Sequence, residues 1–177
     1  MLDALVPRAY CSAYFRTFGI ETIALRFGNV YGPLSQHKSS VVAKFTKHAI
    51  DGKPLEIYGN GMQTRDFIYS EDLTSAILKA ATVAGVGGEI FQIATSRETN
   101  LRELTDALII AFDRNGIKHP SVEFSEPRLG DVMRNFSDTS KAARLLNWQA
   151  STSLEHGLNA TVAAILRYAN RRHSGQD

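Results

Sequence analysis

Three polar segments of the chain carry side chains that can bind an anionic, sugar-like ligand. Arg65 follows a glycine-rich turn over 59–61, and its planar guanidinium can hold a phosphate through two donors. Arg128 stands three residues before Asp131, where one can hold a diphosphate and the other ribose hydroxyls. Asn29 offers donors and an acceptor after a predicted strand. Each segment alone also fits a simpler structure: a strand exit, a hairpin with locally paired charges, or a surface loop.

No pattern in the sequence predicts a metal site or a nucleophilic catalytic centre. The five histidines are scattered, and there is no His-x-Glu-x-x-His or Cys-x-x-Cys pattern. The Gly-x-Ser-x-Gly and Gly-x-x-x-x-Gly-Lys-Ser/Thr signatures are also missing. The single cysteine, Cys11, cannot form an internal disulfide, and we expect it to be a small buried side chain.

The composition is that of a globular protein with balanced charge. Hydrophobic residues make up 44% and charged residues 21% of 177 residues, enough for one sizeable core. The 20 basic residues nearly balance the 18 acidic ones, which argues against binding to nucleic acid. No apolar run reaches the roughly 20 residues that span a bilayer, and the first residues lack the order of a secretory signal. We therefore expect a cytoplasmic protein with no nucleic-acid or membrane partner.

Helices alternate with short strands along the chain, which predicts an α/β or α+β fold. We expect helices over 9–18, 41–51, from 70 to the turn at 85–88, 101–113, 139–146 and 154–171, and strands over 22–27, 55–58, 65–69, 89–93 and 122–124. Ser40 is the expected cap of the second helix, and Asn100 with Glu103 predicts a capping box for the fourth. At the start of the chain, a predicted helix leads into one strand of the kind that is buried in parallel sheets. This arrangement looks like the last piece of a parallel sheet, so we expect an exposed sheet edge there.

Several stretches, taken together, point to a protein family more specifically than any one of them does. They are, in chain order, Leu25–Pro33, Gly52–Leu73, Arg128–Asp131, Asp138–Ala142 and Leu146–Trp148. From about residue 9 to about residue 168 the chain resembles the extended short-chain dehydrogenase/reductase family, and most closely its NAD-dependent epimerases and dehydratases of the bacterial UDP-glucose 4-epimerase type. This resemblance implies the last strand or strands and helix of a Rossmann-like parallel sheet, joined to the family's smaller α/β substrate-binding domain.

The resemblance also implies how the chain is divided and what it binds. Residues 1–39 correspond to a remnant of the dinucleotide-binding domain. Residues 40–171 correspond mostly to the nucleotide-sugar-binding domain, with returns to the Rossmann-like core, and 172–177 to a tail. The implied partners are a UDP-sugar, NAD as cofactor, and a second copy in a possible homodimer through helices that include residues 9–18.

The resemblance further implies a binding site for the nucleotide sugar. The residues it assigns to the substrate are Asn29, Val41, Val42, Phe45, Ile57, Tyr58, Arg65, Arg128 and Asp131. The two arginines would bind the diphosphate, the aspartate the ribose hydroxyls, and the asparagine the phosphates or the sugar. The five apolar and aromatic residues would enclose the base. Val30 and Tyr31 would lie near the nicotinamide end of NAD.

The catalytic signatures of the family have no counterpart in this sequence. There is no Gly-x-x-Gly-x-x-Gly turn, and neither Tyr10 nor Tyr14 has the Lys four residues on that the family's Tyr-x-x-x-Lys pair requires. We therefore expect this chain to supply the substrate side of an enzyme that transiently oxidises C4 of the sugar, with no catalytic residue of its own. Two alternatives stay open: a non-catalytic remnant or sugar-nucleotide-binding module, and part of a nucleotide-sugar 4,6-dehydratase.

Overall fold

A computed structural model describes residues 5–173, and within them six helices alternate with eight short strands. The helices are α1 (Leu5–Phe18), α2 (Val41–Ile50), α3 (Ser70–Thr82), α4 (Leu101–Arg114), α5 (Ser140–Leu146) and α6 (Leu154–His173). The strands are β1 (Ala24–Phe27), β2 (Asn29–Tyr31), β3 (Leu55–Tyr58), β4 (Thr64–Arg65), β5 (Phe67–Tyr69), β6 (Ile90–Ile93), β7 (Thr99–Asn100) and β8 (Val122–Ser125). The mixed α/β class predicted from the sequence is confirmed. Of the predicted tail, 172–173 belong to α6 and 174–177 lie outside the described residues.

The strands pair over long distances in sequence instead of forming local hairpins. Three pairs are parallel, namely β1 with β6, β2 with β5 and β3 with β8, and β4 pairs antiparallel with β7. The predicted strand over 65–69 is split at Asp66, and its two halves join different partners. The hairpin alternative for the turn over 59–61 is therefore wrong, because β3 and β4 do not pair with each other. The division at residue 39 stays a prediction.

Two hydrophobic cores lie under these strand pairs. The larger one packs α2, α4 and α6 against β3, around Phe45, Leu108 and Leu158. The smaller one packs α3 and α5 against β6, and it includes Phe91 and Trp148. The helices are amphipathic with the period of 3.6 residues that the sequence shows, so each turns one stripe of apolar side chains to its core.

The two predicted helix caps have different outcomes. Asn100 Oδ1 accepts a hydrogen bond from the Glu103 backbone N–H (2.9 Å), and the Glu103 carboxylate accepts one from the Asn100 N–H (3.1 Å), so the capping box is confirmed. Helix α2 does begin directly after Ser40, but the Ser40 hydroxyl makes no capping hydrogen bond. Ser40 is therefore the N-cap residue, as predicted, but without the side-chain hydrogen bond of a cap.

The front of the chain exposes apolar surface. Tyr10, Tyr14 and Phe18 form an exposed aromatic row on α1, with successive ring centroids 6.4 and 5.5 Å apart. Within the described residues β1 pairs only with β6, which fits the expected open sheet edge, and Phe27 on this strand is 50% exposed, so a face of the sheet is open as well. Cys11 is half-buried, so the expectation of a buried side chain is wrong.

Two buried carboxylates, one between β4 and β5 and one in α3, tie loops to these elements. Asp66, 3% exposed, accepts hydrogen bonds from the backbone N–H (2.8 Å) and hydroxyl (2.6 Å) of Thr95 and from the N–H of Ser137 (3.4 Å). Asp72, 5% exposed, accepts bonds from the N–H and hydroxyl of Ser151 and from the N–H of Thr152. Buried charge is tolerated only when it is hydrogen-bonded in this way.

In the described residues no helix is long and apolar enough to cross a membrane. The same part of the chain holds no group of three or more side chains that could ligate a metal ion.

We expect Asp66→Asn to lower the free energy of unfolding by about 2–3 kcal/mol, because an amide nitrogen would face N–H or O–H donors that the carboxylate now accepts from. Chemical denaturation measures this change. The matched control is Asp51→Asn, which removes an exposed carboxylate paired with Lys53 (2.9 Å) and should cost less than about 0.5 kcal/mol. Equal stability of the two variants would contradict the tethering role.

Candidate functional site

A cavity of about 230 Å³ brings together side chains that lie far apart in the sequence. Its wall is formed by the first turns of α2, the end of β3, Asn29 at the start of β2, and the loop before α5. Seven of the nine predicted substrate residues line it: Asn29, Val41, Phe45, Tyr58, Arg65, Arg128 and Asp131. A second cavity of about 630 Å³ shares Tyr58, Gln63, Arg128 and Asp131 with it, so the two lie side by side. The size of the second cavity is in the range of small-molecule sites.

The other two predicted substrate residues, Val42 and Ile57, lie in the larger core. Each is about 1% exposed, and neither lines the cavity. In a helix Val41 and Phe45 share a face one turn apart, whereas Val42 points elsewhere. The contact of Val42 and Ile57 with a base therefore has no support in this geometry, and they act here as packing residues.

Strand β3 shows which side chains the resemblance overlooked. Successive residues of a strand face opposite sides, so Leu55 and Ile57 enter the core while Glu56 and Tyr58 face the cavity. Glu56 was not predicted, although this alternation would have found it. Lys44, one helical turn from Val41, also lines the cavity and could have been found by helical spacing.

Two cationic side chains lie close to the ring of Tyr58. The guanidinium carbon of Arg128 lies 3.7 Å from the ring centroid, and the Lys44 ammonium lies 5.6 Å from it. Both distances fall within the range of a cation–π interaction. The contact with Tyr58 holds the Arg128 guanidinium at the wall of the cavity.

Glu56 connects three elements at the base of the cavity. Its carboxylate accepts hydrogen bonds from the Tyr58 hydroxyl (2.6 Å) and the Ser125 hydroxyl (2.9 Å), and it pairs with the Lys44 ammonium (3.3 Å). The Tyr58 and Ser125 hydrogen bonds, together with Lys44, lower the pKa of Glu56 from 4.5 to about 2. The side chain is therefore an anion whose acceptor capacity is used by α2, β3 and β8.

Arg65 and Asp131, predicted for different parts of the ligand, are paired with each other. The Arg65 Nη2 lies 2.5 Å from the Asp131 Oδ1, and Arg65 Nη1 also donates to the carbonyl oxygens of Thr64 and Val132. The Arg65 side chain is 19% exposed. This pair fastens the loop after Arg128 to β4 and leaves part of the guanidinium facing the cavity.

The residues predicted near NAD lie on β2 and line a different cavity, of about 410 Å³. Tyr31 is 2% exposed, and its ring packs on that of Tyr69 (centroids 5.7 Å apart). Its hydroxyl lies against Gly157, where a Cβ atom would collide with it. Burial, and to a lesser extent the Asp72 carboxylate, raises the pKa of Tyr31 above its usual value. The contact of Val30 and Tyr31 with a nicotinamide stays a prediction.

Comparison with known proteins assigns the family. Residues 6–94 match the NAD dependent epimerase/dehydratase family. The chain belongs to this family. It is 33% identical over 155 residues to UDP-glucose 4-epimerase of Mycolicibacterium smegmatis, covering 86% of this chain and 48% of that protein. It is 31% identical over 158 residues to dTDP-glucose 4,6-dehydratase of Neisseria meningitidis, covering 85% and 44%.

Solved structures of the epimerase family share this fold. UDP-glucose 4-epimerase of Thermotoga maritima, solved with UDP-glucose, superposes with a TM-score of 0.83 at 32% identity, covering 93% of this chain and 52% of that one. UDP-glucuronic acid 4-epimerase of Bacillus cereus, solved with UDP-glucuronic acid and NAD, gives 0.81 at 28% identity, covering 93% and 51%. The predicted family and the Rossmann-like α/β class are confirmed, and the chain spans about half the length of these relatives.

We expect Tyr58→Phe to raise the pKa of Glu56 from about 2 toward 4.5, because the largest of the interactions that lower it is lost. A carboxylate whose pKa is lowered by folding stabilises the fold above its unfolded pKa, and this contribution disappears as the pH falls through the folded pKa. The variant should therefore lose part of its stability at a higher pH than the wild type.

Carbon-detected NMR titration of the Glu56 carboxyl measures this shift directly. Tyr14→Phe, a tyrosine on the exposed row of α1, is the matched control and should leave the midpoint unchanged. An unchanged midpoint in Tyr58→Phe would show that the Tyr58 hydroxyl does not control this charge.

Proposed function

We propose that this chain forms the UDP-sugar-binding part of an NAD-dependent nucleotide-sugar epimerase. The observation that carries the proposal is the convergence of Arg65 and Arg128 on one cavity, beside the ring of Tyr58 and the carboxylate of Asp131. A guanidinium fork suits a diphosphate, because it can donate parallel hydrogen bonds to its oxygens, and Arg65 adds the donors that Asp131 and two backbone carbonyl oxygens do not already use. An aromatic ring suits a base, and a carboxylate suits the hydroxyls of a ribose.

The proposed roles follow the positions of the side chains around the cavity. Arg128 binds the diphosphate from the face of Tyr58, and Arg65 does so from the side of β4. Asp131, fixed by its pair with Arg65, accepts from the ribose. Asn29, the first residue of β2, orients the sugar or the phosphate next to it. Glu56 holds Tyr58 by its hydroxyl and so keeps the ring in place.

NAD is the cofactor that we propose from the family alone. The residues of this chain do not by themselves fit a dinucleotide: the sequence has no glycine-rich turn of the family type, and Tyr31 is buried against Tyr69 and Gly157. We therefore assign no step of hydride transfer to a residue of this chain. Its own contribution is to bind and orient the sugar nucleotide. A cytoplasmic location and a homodimer through the first helix stay predictions.

A second candidate is the same binding role within a nucleotide-sugar 4,6-dehydratase. It is favoured by the similarity to proteins of that name, in Neisseria meningitidis at 31% identity and in the trifunctional enzyme of Arabidopsis thaliana at 33%. A third candidate is a sugar-nucleotide-binding module without catalysis. All three candidates share the cavity around Arg128, so binding is the property to test first.

We expect calorimetry to show that UDP binds this chain, and that Arg128→Met weakens the binding by about 10- to 100-fold through loss of charge-assisted hydrogen bonds. Arg128→Lys should recover only part of the affinity, because an ammonium keeps the charge but lacks the fork and the flat stacking face. Arg128 is preferable to Arg65 as the test position, since removing Arg65 would also leave Asp131 unpaired.

Arg114→Met is the matched control, because Arg114 pairs with Glu155 on the surface and lies outside the cavity. The absence of any heat change with UDP, or equal binding by the Arg128 and Arg114 variants, would overturn the proposal. A parallel titration with dTDP compares the epimerase and dehydratase candidates.

We also expect the 177-residue chain alone to show no turnover of UDP-galactose in the presence of NAD, because its sequence has no Tyr-x-x-x-Lys pair. A coupled assay for UDP-glucose measures this. Robust turnover would show that the chain carries a catalytic group outside the family signature.

A further inference from the structure

Gln63 lines both of the cavities that meet at Arg128, and the roles proposed above leave it without one. It follows the glycine-rich turn over 59–61, where Gly59 and Gly61 adopt positive φ angles of 68° and 74° that glycine tolerates best. This turn brings the chain back beside β3, so that Gln63 Nε2 donates a hydrogen bond to the Tyr58 carbonyl oxygen (2.9 Å). Gln63 is only 5% exposed, and the backbone of the cavity wall therefore fixes its amide group.

The amide oxygen of Gln63 has no partner. The Tyr58 carbonyl can accept only from the amide nitrogen, so this bond decides which end of the amide is the oxygen. Within the described residues no group donates to Gln63 Oε1. The unpartnered side-chain atoms that are closed to solvent belong to Ser35, Gln36 and Ser40, so the Gln63 oxygen is an accessible acceptor. A buried side chain that keeps an open acceptor in a cavity indicates a donor on the ligand.

Asp131 offers a second acceptor on the same wall. Its segment runs beside that of Gln63, since the Thr64 N–H donates to the Met133 carbonyl (2.8 Å). Arg65 pairs with Oδ1 of Asp131, and Oδ2 accepts no hydrogen bond in the part of the chain that the structure describes. Both side chains line both cavities. Two acceptors on adjacent segments suit a ligand that carries two neighbouring hydroxyl groups.

A nucleoside diphosphate carries such a pair of hydroxyls at this point. Its diphosphate oxygens accept hydrogen bonds, so they face guanidinium groups and not the oxygen of an amide. Its ribose is bonded to the base on one side and to the diphosphate on the other. In the proposed function the base lies at Tyr58 and the diphosphate at Arg128. Gln63 is hydrogen-bonded to Tyr58 and lines both cavities with Arg128, so it lies where the ribose must pass.

We infer that Gln63 is a specificity-determining residue, which accepts a hydrogen bond from one ribose hydroxyl while Asp131 accepts one from the other. The inference rests on the proposed function and deepens it, because it names the class of nucleotide: a ribonucleotide binds in preference to a deoxyribonucleotide with the same base. A deoxy analogue leaves one buried acceptor without its donor, which costs more binding free energy than a hydrogen bond to an exposed group would.

The test is calorimetry of the chain with UDP, 2′-deoxy-UDP and 3′-deoxy-UDP, which share the base and the diphosphate and differ by one hydroxyl. We expect the wild type to bind each deoxy analogue about tenfold more weakly than UDP. Gln63→Met removes the acceptor and keeps the length of the side chain. It should bind UDP about tenfold more weakly and no longer distinguish UDP from one of the two analogues. That analogue identifies the hydroxyl that Gln63 contacts.

A purely structural role of Gln63, as the tie between the turn and Tyr58, predicts a different result. It would weaken all three ligands by the same factor and leave their ratios at the wild-type values, which would overturn the inference. The matched control is Gln92→Met, since Gln92 is half-buried on β6 and lines neither cavity. This control should change neither the affinities nor their ratios.

The comparison of the three ligands on the wild type needs no variant, so it decides the question even where Gln63→Met loses stability. Equal binding of UDP and both analogues by the wild type would overturn the inference and leave the proposed function standing. The absence of UDP binding would instead overturn the proposed function, and this inference with it.

Discussion

The buried carboxylate of Asp66 is the constraint on which the geometry of the site depends. It binds the backbone after β6 through Thr95 and the segment before α5 through Ser137, so three distant parts of the chain meet at one residue. The Asp66 carbonyl also accepts from the Asn29 N–H (2.6 Å), which sets that side chain at the cavity. Because neighbouring residues of an extended chain face opposite sides, the inward carboxylate of Asp66 places Arg65 outward. A buried carboxylate thereby positions a cation at the cavity.

The charges in the pocket differ in how far the protein already neutralises them. Asp131 is paired with Arg65, and Glu56 is hydrogen-bonded and paired with Lys44. Within the described residues Arg128 has the Tyr58 ring beside it and no carboxylate partner. A diphosphate can therefore approach Arg128 without breaking an ion pair, whereas Arg65 must share its fork with Asp131. Because of this difference, Arg128 can be replaced by methionine or by lysine without breaking the Arg65–Asp131 pair that holds the loop.

The sequence predicts the long helices of this fold well, because their apolar stripes are local patterns. It does not predict β7, and it merges β4 with β5 into one strand, since strands of two residues have no period to detect and exist only through their mutual pairing. At the site, the resemblance identifies residue types that bind anions but treats Ile57 and Tyr58 as equivalent. The alternation of a strand separates them, one into the core and one into the cavity. The pairing of Arg65 with Asp131, 66 residues apart, follows only from the folded structure.

The open edge of the sheet and the pocket meet at the end of β1. Phe27, the last residue of this strand, is 50% exposed, and Asn29, two residues later, lines the pocket. In parallel sheets ligands bind beyond the carboxyl ends of the strands, and both faces of the sheet are ordinarily covered. A sugar oriented by Asn29 would therefore lie beside a surface that this chain leaves open. Under the proposed function, the side chains that line the pocket would bind the nucleotide, and the groups that act on the sugar would have to reach it from the open side.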